Sequence, residues 1–154
     1  MSRPEIETPA GEPVIVVRAT VAAAPELVFR LYTEPEHLRR WYGPRQLELS
    51  VCEVDLRVGG RYRFVHRAPD GREFGFSGSF LEVDPPRRLV RTFTIEDWPH
   101  GEAVETITFE RVGQGTSVLT RTVHPSVAAR DAHVDAGMAK GLNDAHARLE
   151  ELLP

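Results

Sequence analysis

The first clear segment of the chain is a mostly apolar run, and through the middle of the chain apolar and polar residues alternate with a period of two. Residues 14–21 are rich in β-branched side chains, which predicts a first strand. The alternation begins at residue 47, and turn signals interrupt it at Gly59-Gly60, at Pro69-Asp70-Gly71 and at Asp84-Pro85-Pro86. Links this short join antiparallel neighbours, so we expect six to seven antiparallel strands.

Helical spacing appears in three other segments. Pro25 suits the first position of a helix, and apolar residues follow it at helical intervals. Thr33 and Glu36 have the spacing of a capping box, which predicts a second short helix that ends before Gly43-Pro44. The last segment carries one apolar stripe, which predicts a single long C-terminal helix. The stripe consists of Val134, Met138, Leu142, Ala145, Leu149 and Leu152.

These elements predict an α+β fold of the helix-grip kind, in which a curved antiparallel sheet carries two short helices and one long C-terminal helix. A strongly twisted sheet curves around a single covering helix, and the two do not easily fill the space between them. We therefore expect a pocket there, within a single domain over residues 14–154. Residues 1–13 are rich in proline and are expected to form a flexible leader.

Composition narrows the classes of function. The chain of 154 residues is 41% hydrophobic, enough for a core, and its net charge of −4 argues against nucleic acid as a partner. Cys52 is the sole cysteine, which excludes an internal disulfide and fits a reducing, cytoplasmic location. Apolar runs stay well short of the roughly 18 residues that span a membrane, so we expect no stable membrane insertion. A free sheet edge leaves a homodimer open.

The inward face of the sheet supplies the first candidate residues. Tyr62, Phe64 and His66 alternate with arginines along one strand, and burying unpaired arginine is costly. The arginines should therefore face water and the aromatic side chains should face the pocket. An arginine stripe can also indicate nucleic-acid binding, but no aromatic residues interleave on that face. His66 is either a hydrogen-bonded core residue or a group that binds a ligand or moves a proton.

Further candidates lie on the later strands and on the last helix. Arg91 shares a strand phase with Phe93, so if that face is internal it needs a carboxylate, which Glu105 on the next strand could supply. Trp98 lies in a turn, where it is either a lid or an exposed anchor. His124 ends the last strand and is expected to face solvent. The complete set of candidate ligand-binding residues is Tyr62, Phe64, His66, Phe76, Arg91, Phe93, Trp98, Glu105, Met138 and Leu142.

No residue is assigned a catalytic role from these patterns. The histidines do not have the spacing of a zinc site, and no glycine-rich nucleotide-binding loop is present in the sequence. We therefore expect neither a metal nor a cofactor. A small hydrophobic molecule is the expected partner.

Several local motifs together resemble one known family. They are Ala24 to Phe29, Thr33 to Pro44, Asp55 to Gly60, Gly78 with Glu82 to Val90, and Gly115-Thr116. In this combination they are similar to proteins related to the activator of the heat-shock-protein-90 ATPase, within the START-like (SRPBCC) superfamily. The resemblance covers residues 14–153. It departs from the family pattern at Gly141-Leu142, where the family has Gly-Trp, and at His146, where it has leucine.

The resemblance implies the helix-grip fold and a ligand cavity, but not one activity. The first hypothesis is a binder of a small hydrophobic or amphipathic molecule. The second is an enzyme similar to polyketide cyclases and dehydratases, which would use His66 with Glu105 or Arg91. The third is a protein that activates a chaperone ATPase.

Overall fold

A computed structural model of the protein describes residues 3–154 and shows an α+β fold with one antiparallel sheet and four helices. The elements in chain order are β1 (Glu5–Glu7), β2 (Val14–Val21), α1 (Pro25–Thr33), α2 (Pro35–Trp41), β3 (Glu48–Val54), β4 (Arg61–Arg67), β5 (Glu73–Asp84), β6 (Arg88–Ile95), β7 (Ala103–Val112), β8 (Gly115–Val123), α3 (Val127–Asp135) and α4 (Met138–Glu151).

The sheet has eight strands in the order β1-β2-β8-β7-β6-β5-β4-β3, rather than the six to seven that the sequence predicted. The additional strand, β1, lies within the expected leader and pairs with β2, so that Ile6 is opposite Val17. Arg130 strengthens this attachment, because its Nη1 donates to the carbonyls of Pro9 and Val14 at 3.1 and 3.0 Å. Three residues between proline and glycine signals are too short a pattern to identify as a strand from the sequence.

The two short helices form where they were predicted, but the second is capped differently. Both α1 and α2 begin at a proline, which lacks the N–H that the first turn of a helix leaves unpaired. The residue that precedes α2 as its cap is Glu34, without a side-chain hydrogen bond. Thr33 instead donates through Oγ1 to the carbonyl of Phe29 at 2.7 Å. The predicted capping box therefore does not form.

The predicted long C-terminal helix is two helices. Gly137 adopts φ +90°, a left-handed conformation that glycine accepts readily, and it separates α3 from α4. Ser126 caps the start of α3 by accepting from the backbone N–H of Ala129. The apolar stripe continues across the break, because periodicity reports which side faces inward and not whether the backbone is continuous.

The core lies between the sheet and helices α1, α2 and α4. Val28 and Leu149 are fully buried there, and Trp41 is 4% exposed. The indole of Trp41 donates to the carbonyl of Leu31 at 2.8 Å, which ties α2 to α1. Some core residues, among them Leu38, Trp41 and Phe64, also line the site described next.

Candidate functional site

A cavity of about 850 Å³ lies between the inner face of the sheet and the C-terminal helices. Side chains from strands β2, β4, β5, β6, β7 and β8 form one wall, and residues from Ala136 to His146 form much of the other. Pro4, just ahead of β1, also lines it. Most of the lining side chains are aromatic or aliphatic, as expected where a curved sheet meets a helix that does not fill its concave side.

Nine of the ten predicted residues line this cavity, and Tyr62 does not. The nine are Phe64, His66, Phe76, Arg91, Phe93, Trp98, Glu105, Met138 and Leu142. Tyr62 faces the same side of β4 and is 2% exposed, but the guanidinium of Arg91 lies 4.6 Å above its ring. Its hydroxyl donates to the carbonyl of Thr92 at 2.6 Å. Tyr62 therefore supports Arg91 from beneath instead of reaching the cavity.

Arg91 and Glu105 form a buried ion pair in the floor of the cavity. They are opposite each other on β6 and β7, and Nε of Arg91 donates to Oε1 of Glu105 at 2.7 Å. Their side chains are 8% and 14% exposed. Thr122, on the neighbouring strand β8, donates to Oε2 of the same carboxylate at 3.4 Å. Burial alone would lower the pKa of Arg91, but the charge of Glu105 raises it overall, so the guanidinium stays protonated.

A continuous row of rings follows the cavity wall from one end to the other. Tyr42 stacks on His66 with centroids 5.7 Å apart, and His66 meets the edge of Phe76 at 5.5 Å. Phe76 stacks on Phe93 at 5.7 Å, and Phe93 stacks on His133 at 5.5 Å. These separations are typical of favourable aromatic pairs. Each ring restricts its neighbour, so this wall presents a fixed apolar surface with a histidine near each end.

His66 is the polar group at one end of this row. It is 3% exposed, and burial, followed by the charge of Arg148, lowers its pKa to about 4, so its imidazole is neutral near pH 7. Its ring lies so close to Gly43 that a Cβ at that position would clash with Cε1 of the imidazole. Within the described residues Nδ1 has no hydrogen-bond partner. An unpartnered buried nitrogen is costly unless a bound molecule satisfies it.

The structure does not bring His66 into hydrogen-bonding contact with Arg91 or Glu105, among residues 3–154. Two rings separate them: Tyr42 stacks on His66 and meets Phe64 at 5.0 Å, and Phe64 lies 5.9 Å from the guanidinium of Arg91. The three groups proposed for an enzyme therefore share one cavity but form two separate polar positions.

The structure also contains a pair of neighbouring histidines, His124 and His133, that the sequence did not predict. Nε2 of His124 and Nδ1 of His133 are 3.1 Å apart, and His133 lines the cavity from α3. The expectation that His124 faces solvent is wrong, since it is 7% exposed. Burial, followed by the charge of His124, lowers the pKa of His133 to about 4. The helix cap at Ser126 was the available signal, because it places His133 two turns into a helix.

The remaining charged residues that line the cavity lie at its outer edge. Arg72 pairs with Asp70 at 2.7 Å, and Lys140 pairs with Asp144 at 2.9 Å. Trp98 also lines the cavity, is half-buried and meets His100 edge to face at 5.1 Å. The sequence left it open whether Trp98 is a lid or an exposed anchor, and the lid stays a prediction.

One cluster could in principle share a metal ion. Ligand atoms of Glu34, Glu36 and His37 lie within 4.8 Å of one another. The imidazole Nε2 of His37 lies 3.4 Å from a carboxylate oxygen of Glu34 and 3.7 Å from one of Glu36. None of the three lines the cavity. Across residues 3–154, no helix is both long enough and apolar enough to cross a bilayer.

Comparison with known families matches residues 22–154 to the family described as Activator of Hsp90 ATPase homolog 1-like protein. Among solved structures, a protein of Nitrosomonas europaea is 31% identical with a TM-score of 0.82, over 95% of this chain and 96% of that one. A Rhodobacter sphaeroides protein is 26% identical with a TM-score of 0.91, over 99% and 98%. A Mycobacterium smegmatis protein, at 22% identity and a TM-score of 0.90 over 99% and 98%, shows the shared fold alone. No curated protein matches the chain.

Proposed function

We propose, from the premise that the chain belongs to the Activator of Hsp90 ATPase homolog 1-like family, that it binds a small hydrophobic or amphipathic molecule between its sheet and its C-terminal helices. The observation that carries this proposal is the cavity of about 850 Å³ with its row of stacked rings. Ligand pockets typically have volumes of roughly 300–1,000 Å³, apolar walls and a few polar groups that orient the ligand.

The walls supply affinity and the polar groups supply orientation. Phe76 and Phe93 offer ring faces against which apolar parts of a ligand lose contact with water. His66 offers a nitrogen without a partner, and a ligand hydroxyl or amide that reached it would remove the cost of that unpaired atom. This combination favours a molecule that is mostly apolar and carries hydrogen-bonding groups.

A reaction of the polyketide cyclase or dehydratase kind is the second candidate, and the unpartnered Nδ1 of His66 is the observation that favours it. The lowered pKa of His66 makes it a weak base near neutral pH. Catalysis would also require a substrate long enough to touch both His66 and the Arg91–Glu105 pair. Time-dependent loss of water from a polyketide substrate, followed by mass spectrometry and absent with His66→Phe, would establish the dehydration step of this activity.

Native mass spectrometry of protein purified from its own host tests the binding proposal directly. We expect an additional mass that corresponds to a co-purified small molecule, and a rise in melting temperature with at least one member of a panel of lipids, flavonoids and polyketides. A wild-type protein that carries no ligand and responds to none of the panel would contradict the proposal.

Leu142→Trp provides the matched variant. Leu142 lines the cavity from α4, so the larger indole should occupy space that a ligand needs. We expect loss of both the additional mass and the thermal shift, while the circular dichroism spectrum is retained. Leu81→Trp is the control, because Leu81 is 50% exposed and does not line the cavity. Equal ligand retention by the two variants would place binding elsewhere.

A further inference from the structure

We infer that the cavity selects uncharged ligands over carboxylates of the same shape, and that Glu105 sets this preference by neutralising Arg91. This rests on the proposed function, since it concerns the molecule bound in the same cavity. It specifies that the ligand is uncharged and identifies Glu105 as the residue that determines this preference. The support comes from the placement of the charged side chains that line the cavity.

The charged lining residues divide into an outer group and an inner pair. Asp70, Arg72 and Lys140 lie at the outer edge, with side chains 55%, 72% and 67% exposed, and each takes part in a surface ion pair. Water screens such charges strongly. Among the lining residues that the structure describes, only Arg91 and Glu105 bring charge into the buried interior.

The charges of Arg91 and Glu105 cancel, so this inner pair presents no net charge to a ligand. Arg91 contacts Glu105 at 2.7 Å, and the second carboxylate oxygen receives the hydroxyl of Thr122. The guanidinium also lies 4.6 Å over the ring of Tyr62. A carboxylate that entered would lose its hydration, and no uncompensated cation would replace it. A ketone, hydroxyl or amide can still accept a hydrogen bond from Arg91 at much lower desolvation cost.

The other polar groups of the cavity are neutral as well. Burial lowers the pKa of both His66 and His133 to about 4, so neither imidazole is a cation near pH 7. Burial raises the pKa of the Tyr42 phenol to about 12 and raises that of Tyr32, so both stay protonated. The interior therefore combines many hydrogen-bonding groups with no net charge.

Two probes of nearly identical shape test this preference. 2-Acetylnaphthalene and 2-naphthoate share the same ring system and differ in a methyl ketone against a carboxylate. With wild-type protein at pH 7.5, isothermal titration calorimetry should show the ketone binding about tenfold to a hundredfold more tightly.

Glu105→Gln changes the charge while it nearly preserves the shape. It leaves the guanidinium of Arg91 uncompensated, so we expect the preference to reverse, with naphthoate binding more tightly than the ketone. A change in packing alone would weaken both probes and would not reverse their order. Glu110→Gln is the control, because Glu110 is exposed on the same strand and does not line the cavity. It should retain the wild-type order.

The double variant Arg91→Gln/Glu105→Gln removes both charges and should keep the preference for the ketone. It decides the matter if the single variant fails to fold, because replacing both partners of a buried pair is tolerated better than leaving one charge alone. Equal or tighter naphthoate binding by wild-type protein, an unchanged order in folded Glu105→Gln, or a reversed order in the double variant would overturn the inference alone. Failure of wild-type protein to bind either probe or any co-purified molecule would overturn the proposed function with it.

Discussion

The two walls of the cavity are built in different ways. On the sheet wall, Phe64 and Phe93 are 1% and 7% exposed, and cross-strand neighbours hold them in place. On the helix wall, Met138 and Leu142 are half-buried, and Gly137 interrupts the helix between them and α3. One wall is part of the hydrophobic core, whereas the other borders it only in part.

Because of this difference, the two walls should contribute differently to ligand selectivity and to ligand entry. Close-packed side chains have few alternative positions, so the sheet wall can present Arg91, Glu105 and the ring row in one arrangement. Partly exposed helical residues with a glycine break nearby have fewer contacts to lose when they move. We therefore expect ligand selectivity to depend on the sheet wall, and the ease of ligand entry to depend on the helix wall.

The largest contrast should appear in stability. Phe64→Ala should lower the free energy of unfolding by about 3–5 kcal/mol, because it removes a fully buried ring from the core. Leu142→Ala should lower it by less than about 1 kcal/mol, since its side chain is half-buried and already borders the cavity. Urea denaturation of both variants measures the two values. Equal losses would show that the walls are equally well packed.

The pH dependence of stability tests whether each wall buries its histidine. His66 and His133 have pKa values of about 4 when folded, below the ordinary value of 6.5, and burial is the main cause. The unfolded chain takes up these protons first, so the free energy of unfolding is fully retained above about pH 6.5 and falls between about pH 6.5 and pH 4.

Replacing either histidine by phenylalanine keeps a ring and removes the titrating group. His66→Phe and His133→Phe should each lower the number of protons taken up on unfolding by up to about one across that range. The slope of the free energy of unfolding against pH should therefore decrease in each variant. Urea denaturation at several pH values measures the slope. A slope unchanged by His133→Phe but reduced by His66→Phe would mean that the helix wall leaves its histidine in contact with water.

Replacing each of two glycines on the helix wall by alanine should change the stability of the protein in opposite directions. Gly137→Ala should destabilise the protein by roughly 1 kcal/mol, because an L-residue is disfavoured at φ +90° even though nothing crowds the site. Gly141→Ala should stabilise it by up to about 1 kcal/mol, since Gly141 lies inside α4 and a Cβ there would meet Cγ of Pro44 at 3.5 Å, an ordinary van der Waals contact. Thermal unfolding of both variants checks the signs. Destabilisation by Gly141→Ala would indicate closer packing against Pro44 than the structure shows.

The sequence was most informative where a simple period governs the structure. Alternation along β4 identified the inward face that carries Phe64 and His66. On β6 it gave Arg91 the phase of Phe93 but left open whether that face is internal. The partner of Arg91 followed from the cost of an unpaired buried charge, because Glu105 is the carboxylate on the next strand. Periodicity and charge together therefore identified the pair as a candidate, and the structure shows that this face of β6 is internal.

Features that depend on one dihedral angle or on distant partners could not be read in this way. The apolar stripe has the same spacing whether or not Gly137 turns left-handed, so the helix break is invisible to periodicity. Tyr62 shares its face with Phe64, and only the path of the Arg91 side chain decides which of them reaches the cavity. The contact between His124 and His133 depends on how α3 folds back over the sheet.

The short strand β1 has a practical consequence for handling the protein. Its pairing with β2 and the hydrogen bonds from Arg130 hold the start of the chain against the sheet, and Pro4 reaches the cavity lining. A purification tag fused ahead of Pro4 would emerge beside the cavity and compete with the proposed ligand for that space. Binding assays are therefore best performed after such a tag has been cleaved, or with the tag moved to the opposite terminus.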